Sequence, residues 1–274
     1  MAAFTEISHE RLDRLIGLPD APLVLDVRTD EDFAADPAFV PTARRVAHGE
    51  VSPAGLAGRR VVVVCHRGRK LSHGAAALLR AGGVAAEALA GGFEAWRGAG
   101  LPCVPAGLIP AGGLWVTRAR PKIDRIACPW LIRRFVDPGA RILFVSAAEV
   151  AAVADRFGAT PFDIEGVAWS HRGEGCTFDT MLDEWGLRTE ALDRLSLVVR
   201  AADTDRHELA PQAAGLLAVS VGLSRQYRDD PAQLEAGMAL YDAFYRWARD
   251  GFDEGHDWPA TGPKPGPTPV PMPS

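Results

Sequence analysis

The chain has 274 residues, long enough for two ordinary domains or one large one. Its 47% apolar and 24% charged residues are the balance of a globular protein and exclude a disordered or fibrous one. A formal net charge of −5 speaks against a protein that coats nucleic acid, while leaving room for a local basic patch.

The first hundred residues alternate strand and helix. Ser8 is placed to N-cap a helix over 9–16, and Leu23–Val27 reads as a short buried strand. Asp30 stands where it would cap a helical turn, and 45–47 carries a weak strand signal. Val61–Val64 is an unbroken apolar run, the pattern of a strand buried on both faces. A helix follows through about Arg80 and stops at Gly82 and Gly83. Ala86–Leu89 reads as another strand, and Gly91 and Gly92 lead into a helix carrying Phe93 and Trp96. Strands alternating with helices predict a parallel sheet covered by helices, an α/β unit over 4–104.

Residues 102–113 are rich in proline and glycine and have no period, so they read as a linker carrying few contacts between two independent units. A mixed, mostly helical second domain is expected over 114–250. It opens with a strand at 114–117 and a helix over 124–135, bent or restarted by Pro129. A strand over 142–145 precedes a helix over 147–157, capped by Ser146. Helices follow at 181–185, 190–202, 213–221 and 232–249. From Pro259 onward the tail is proline-rich and reads as disordered or polyproline II. No run approaches the roughly 18 apolar residues of a membrane span. Met1–Glu6 has neither a basic nor an apolar leader region, so the expected location is the cytoplasm. Cys65, Cys103, Cys128 and Cys176 form no CxxC pair and read as free thiols.

Cys65 ends the valine run and opens the segment Cys65-His66-Arg67-Gly68-Arg69-Lys70-Leu71-Ser72. A strand that delivers a cysteine into a basic, glycine-containing loop before a helix favours the thiolate, because oriented amides, the helix dipole and nearby cations all stabilise an anion. Cysteine phosphatases use a Cys-x5-Arg loop, but position 71 is leucine, so the phosphate clamp is missing. An inert strand-end thiol is the plainer alternative. Asp26 and Arg28 share a strand face and read as structural support for the loop.

Asp26-Val27-Arg28, the Cys65–Ser72 loop, Gly91–Trp96 and Gly100-Leu101-Pro102 together resemble, in order and spacing, the rhodanese (sulfurtransferase) domain. The resemblance implies a persulfide-carrying Cys65, with His66, Arg67, Gly68, Arg69 and Lys70 forming an anion-binding loop. The expected donor is a small anion such as thiosulfate, the acceptor a thiol or cyanide-like nucleophile, and no cofactor is required. The usual Pro-Gly-Ala turn is replaced by Pro41-Thr42-Ala43.

The second unit carries six basic residues against one acid between 118 and 134. This stretch reads either as a solvated helix face or as an oxyanion or nucleic-acid contact. Downstream lie Asp163, Glu165, His171, Glu174, Cys176, Asp179, Asp203, Asp205 and Glu208, residue types that bind divalent metals. His171 and Asp203 are the candidate ligands for Mn, Fe or Zn. The alternative is that Asp203 and Asp205 cap helices, since Asp205 and Glu208 have capping-box spacing. The stretches 122–135 (KIDRIACPWLIRRF), 171–176 (HRGEGC), 203–205 (DTD) and 211–215 (PQAAG) resemble the C-terminal domain of the chromate resistance protein B family. That likeness implies a connection to chromate resistance, with chromate or another oxyanion as a partner. It also keeps open a sensor or regulatory protein whose first domain tunes thiol redox state.

Overall fold

The computed structural model describes residues 5–255, so the expected proline-rich tail lies outside the described residues. The chain begins with β1 (Glu6–Ile7) and α1 (His9–Asp13). The Ser8 hydroxyl caps α1 by accepting from the Arg11 amide at 3.3 Å, but the helix ends three residues before Ile16. Gly17, at φ 84°, turns the chain where a Cβ would overlap the rings of Phe135 and Tyr245.

β2 (Leu23–Asp26) leads to α2 (Asp30–Ala35), which is capped by Thr29 and not by Asp30. The Thr29 hydroxyl accepts from the Asp32 amide at 3.1 Å. β3 (Ala38–Phe39), β4 (Arg44–Arg45), β5 (Arg60–Val64), α3 (Lys70–Ala81), β6 (Ala85–Leu89), α4 (Gly92–Gly98) and β7 (Val104–Pro105) follow. The main sheet is parallel throughout, in the order β1-β6-β5-β2-β4. β5 is central and its four valines are buried, which is why that run shows no polar alternation.

The second unit contains β8 (Leu114–Arg118), α5 (Asp124–Leu131), β9 (Arg141–Val145), α6 (Val150–Phe157) and β10 (Thr160–Pro161). The helices α7 (Thr177–Glu184), α8 (Glu190–Asp203), α9 (Ala213–Gln226) and α10 (Asp230–Asp250) complete it. Its three strands are parallel in the order β10-β8-β9. The break expected at Pro129 comes three residues later, as a π-helical turn over Ile132–Val136 closed by the Asp137 amide on the Ile132 carbonyl at 2.7 Å. Ser146 makes no side-chain cap, because the chain enters α6 through a 3-10 turn at Ala147–Glu149.

The stretch 102–113 differs from a free linker. β7 pairs antiparallel with β3, and a 3-10 turn covers Ala106–Leu108. Trp96 donates its indole N–H to the Pro102 carbonyl at 2.8 Å, and Trp185 donates to the Leu108 carbonyl at 3.2 Å. The two units are also not separate bodies. One continuous apolar core runs from Ile7, Leu12 and Trp96 to Trp115, Trp130, Phe135 and Tyr245. The Thr42 amide donates to the Phe135 carbonyl at 2.9 Å, and Arg249 donates to the Arg14 carbonyl at 3.0 Å. Periodicity told which faces were apolar but not that the two sets of faces would cover each other.

Candidate functional site

β5 carries Cys65 to the C-terminal edge of the sheet, and α3 begins five residues later. The sulfur sits 3.2 Å from the Arg69 amide, which donates to it, and 3.1 Å from the Ser72 hydroxyl. That hydroxyl also lies 3.2 Å from the Arg69 carbonyl, so its single proton has two acceptors to choose between. A negative charge on sulfur draws the proton to sulfur.

The loop keeps this shape because a second loop is pressed against it. The Phe93 amide donates to the Cys65 carbonyl and the Glu94 amide to the His66 carbonyl, both at 2.9 Å. α4 thereby holds two loop carbonyls away from the sulfur. The close approach depends on Gly68 (φ 60°) and Gly92 (φ 65°). A Cβ on Gly92 would lie 2.3 Å from both the Cys65 carbonyl oxygen and the Gly68 nitrogen.

Cys65, His66, Arg67, Arg69, Lys70 and Leu71 line an open cleft of about 350 Å³, together with Asp32. Arg67, Arg69 and Lys70 are exposed, His66 is half-buried, and Arg67 pairs with Glu94 at 3.3 Å. Asp32 was not singled out from the sequence; an acid in the first turn of α2 gives no local sign that it faces a cysteine loop.

Asp26 and Arg28 lie below this rim, fully buried. Arg28 pairs with Asp26 at 2.6 Å and donates to the Asp36 and Ala38 carbonyls at 3.1 and 2.5 Å. Its guanidinium stacks 3.8 Å from the centre of the Phe93 ring. Phe93, whose amide holds the Cys65 carbonyl, links it to the loop. Burial pushes the Cys103 thiol up, and burial followed by the carboxylate field of Asp124 pushes Cys128 and Cys176 well up.

A second group of residues converges in the other half. Asp124 starts α5, Asp163 follows β10, His171 lies in the loop before α7, and Asp203 ends α8. The His171 Nε2 stands 3.5 Å from Asp124, 3.4 Å from Asp163 and 3.3 Å from Asp203. These carboxylates, Asp124 first and then Asp163 and Asp203, push the imidazole up to about 12. Burial pushes Asp124 up to about 6. The Thr177 and Phe178 amides at the start of α7 donate to Asp124 at 2.6 and 3.3 Å. Asp163 accepts from the Thr177 hydroxyl at 3.0 Å and pairs with Arg118 and Arg125 at 3.2 and 3.3 Å.

Asp124 was missed as a partner of this group, although it is the one acid of the basic stretch 118–134. The arginines of that stretch are engaged internally. Besides Arg118 and Arg125, Arg120 bonds the Tyr227 carbonyl, Arg133 pairs with Glu235, and Arg134 pairs with Asp242. Lys122 is exposed. The capping-box spacing of Asp205 and Glu208 produces no cap: the 3-10 turn His207–Leu209 has none, and Asp205 sits at φ 56°.

Comparison with known families gives two matches, the rhodanese-like domain over residues 8–99 and the C-terminal domain of ChrB over residues 115–248. The chain joins a rhodanese-like domain to a ChrB C-terminal domain. Protein ChrB of Cupriavidus metallidurans is 33% identical over 135 residues, which are 49% of this chain and 40% of that protein. The chain therefore spans well under two thirds of that relative. Among solved structures, a thiosulfate sulfurtransferase from Pseudomonas aeruginosa is 29% identical over 36% of this chain and 19% of its own, with a TM-score of 0.32. A rhodanese-related protein from Thermoplasma volcanium is 21% identical over 36% of this chain and 97% of its own, with a TM-score of 0.31. The rhodanese-like domain contains Cys65 and its loop, and the ChrB C-terminal domain contains all four members of the carboxylate–histidine group. Among the described residues no helix is long and apolar enough to cross a membrane.

Proposed function

We propose that the protein is a sulfurtransferase in which Cys65 accepts a sulfane sulfur from a small anionic donor such as thiosulfate, acting within a chromate-resistance protein. The observation that carries this reading is the setting of the sulfur: amide and hydroxyl donors at 3.2 and 3.1 Å, at the floor of a cleft rimmed by Arg67, Arg69 and Lys70.

The thiolate attacks the outer sulfur of thiosulfate. A new S–S bond forms, the donor's own S–S bond breaks, and sulfite departs with its electron pair. Cys65 is left as a persulfide anion. The Arg69 amide and the Ser72 hydroxyl hold negative charge where it stood on the thiolate, and the cationic rim raises the local concentration of the donor. A nucleophile such as cyanide then takes the terminal sulfur as thiocyanate and returns the thiolate. His66 and Gly68 shape the loop, while Asp26 and Arg28 support it from below.

Intact mass after thiosulfate treatment tests the assignment. The wild type gains about one sulfur and Cys65→Ser gains none; an undiminished adduct in Cys65→Ser overturns it. A second reading, an oxyanion- or metal-responsive regulator with a redox-tuning first domain, draws on the carboxylate–histidine group. Thiocyanate formation from thiosulfate and cyanide separates the two, because a regulator without transferase chemistry forms none.

A further inference from the structure

We propose that Asp124, Asp163, His171 and Asp203 form a binding site for one divalent first-row cation. The inference does not rest on the sulfurtransferase reading, since it concerns other residues in the other domain.

The distances carry it. A protonated imidazole nitrogen has one hydrogen and forms one good hydrogen bond, at about 2.7–3.2 Å. The His171 Nε2 forms none of that length with a carboxylate. It stands 3.3, 3.4 and 3.5 Å from oxygens of three different aspartates. Donor atoms about 2.1 Å from a shared ion stand about 3.4 Å apart along the edges of a tetrahedron. The Asp124 and Asp163 contacts match such edges, and Asp203 stands at a similar distance from the imidazole but outside that compact trio. One oxygen each of Asp124 and Asp163 and the imidazole nitrogen all lie within 4.8 Å of one another.

The ligand atoms are also held from behind, as in metal sites whose ligands are oriented by outer hydrogen bonds. The Thr177 and Phe178 amides fix Asp124. The Thr177 hydroxyl fixes the inner oxygen of Asp163, while Arg118 and Arg125 take its outer one. Asp124 and Asp163 are 1% and 5% exposed, so their charges face each other with little water between them, a costly arrangement that a cation relieves. The neighbouring Cys176 thiol turns to Asp179 instead, at 3.4 Å. Three carboxylates and one imidazole suit Mn2+, Fe2+ or Zn2+, and the absence of a thiolate speaks against a copper–thiolate centre. One side is open: Arg118, Asp163, Ser170 and His171 line a surface cleft of about 380 Å³, which gives an ion its entry path and leaves room for an exchangeable ligand.

The test uses the full chain, stripped with chelator and titrated with Mn2+, a probe that ignores the four thiols. Loss of the free-ion paramagnetic signal counts bound metal, and Zn2+ competition checks that both ions share the site. The expected result is close to one ion per chain, and at least about tenfold weaker binding in His171→Gln and in Asp203→Asn. Thermal melting confirms that each variant is folded; Asp203, at the end of α8 and partly exposed, is the change least damaging to the fold. Equal Mn2+ uptake by wild type and a folded Asp203→Asn overturns the proposal. So does a wild type that binds no Mn2+ or Zn2+ at micromolar free ion, which would leave the imidazolium as the only cation of the group.

Discussion

At the scale of single residues, the sulfur site turns on one proton. The Ser72 hydroxyl lies 3.1 Å from the Cys65 sulfur and 3.2 Å from the Arg69 carbonyl, so it is neutral toward the thiol and supportive toward the thiolate. Ser72→Ala removes that choice while leaving the Arg69 amide in place. A hydrogen bond to a charged group contributes about 1.5–3 kcal/mol, so persulfide formation should slow about tenfold or more, measured by stopped sulfite release. A rate unchanged by Ser72→Ala would mean the hydroxyl serves only to hold the loop. Arg28 makes a different residue-scale case. Its loss leaves the buried Asp26 carboxylate without its charged partner, which costs about 3–5 kcal/mol. Urea unfolding of Arg28→Ala should show that loss, and an unchanged midpoint would contradict the buried pair as drawn.

At the scale of elements, the cysteine loop is shaped by the start of α4. Two α4 amides hold the Cys65 and His66 carbonyls, and two left-handed glycines let the backbones meet. Gly92→Ala adds a Cβ 2.3 Å from the Cys65 carbonyl oxygen. Strain at such a position is worth about 1–3 kcal/mol, and relieving it must move the loop. The expected outcome is a lower melting temperature together with loss of the thiosulfate adduct; retention of the adduct at full rate would show that the loop keeps its shape without α4. These elements were legible in the sequence because their signals are local: a valine run, a cysteine, glycines three and twenty-seven residues on, and a helix. Two-residue strands such as β3 and β7 leave no such period, and each exists only because the other pairs with it. Asp124 was hidden for the same reason. It reads as one acid on a basic helix, and only the fold brings α5 beside the loop of His171 and the end of α8.

At the scale of the whole molecule, the stretch 102–113 joins two halves that share one core. Gly17 sits where a Cβ would come within 2.5 Å of the Phe135 ring and 2.7 Å of the Tyr245 ring. Gly17→Ala, a change in the first half, should therefore lower the melting of the whole chain in a single transition. Two separated transitions would show that the halves unfold independently. Residues 1–106 expressed alone should be poorly soluble, against the expectation from the linker's composition, because the fragment keeps Leu12, Ile16 and Trp96 of the shared core and loses Trp130, Phe135 and Tyr245 from it. A monomeric, active 1–106 fragment would show that the rhodanese-like half closes its own core.

The shared core has a thermodynamic consequence for the two sites. A ligand that binds only the folded chain stabilises everything that unfolds with it, by an amount set by its concentration relative to its dissociation constant. Where the chain unfolds in the single transition expected above, an ion held by Asp124, Asp163, His171 and Asp203 protects the Cys65 loop against unfolding without touching it. Occupancy in one half would then be read out as protease resistance in the other, and metal supply would govern how long the half that carries Cys65 stays folded.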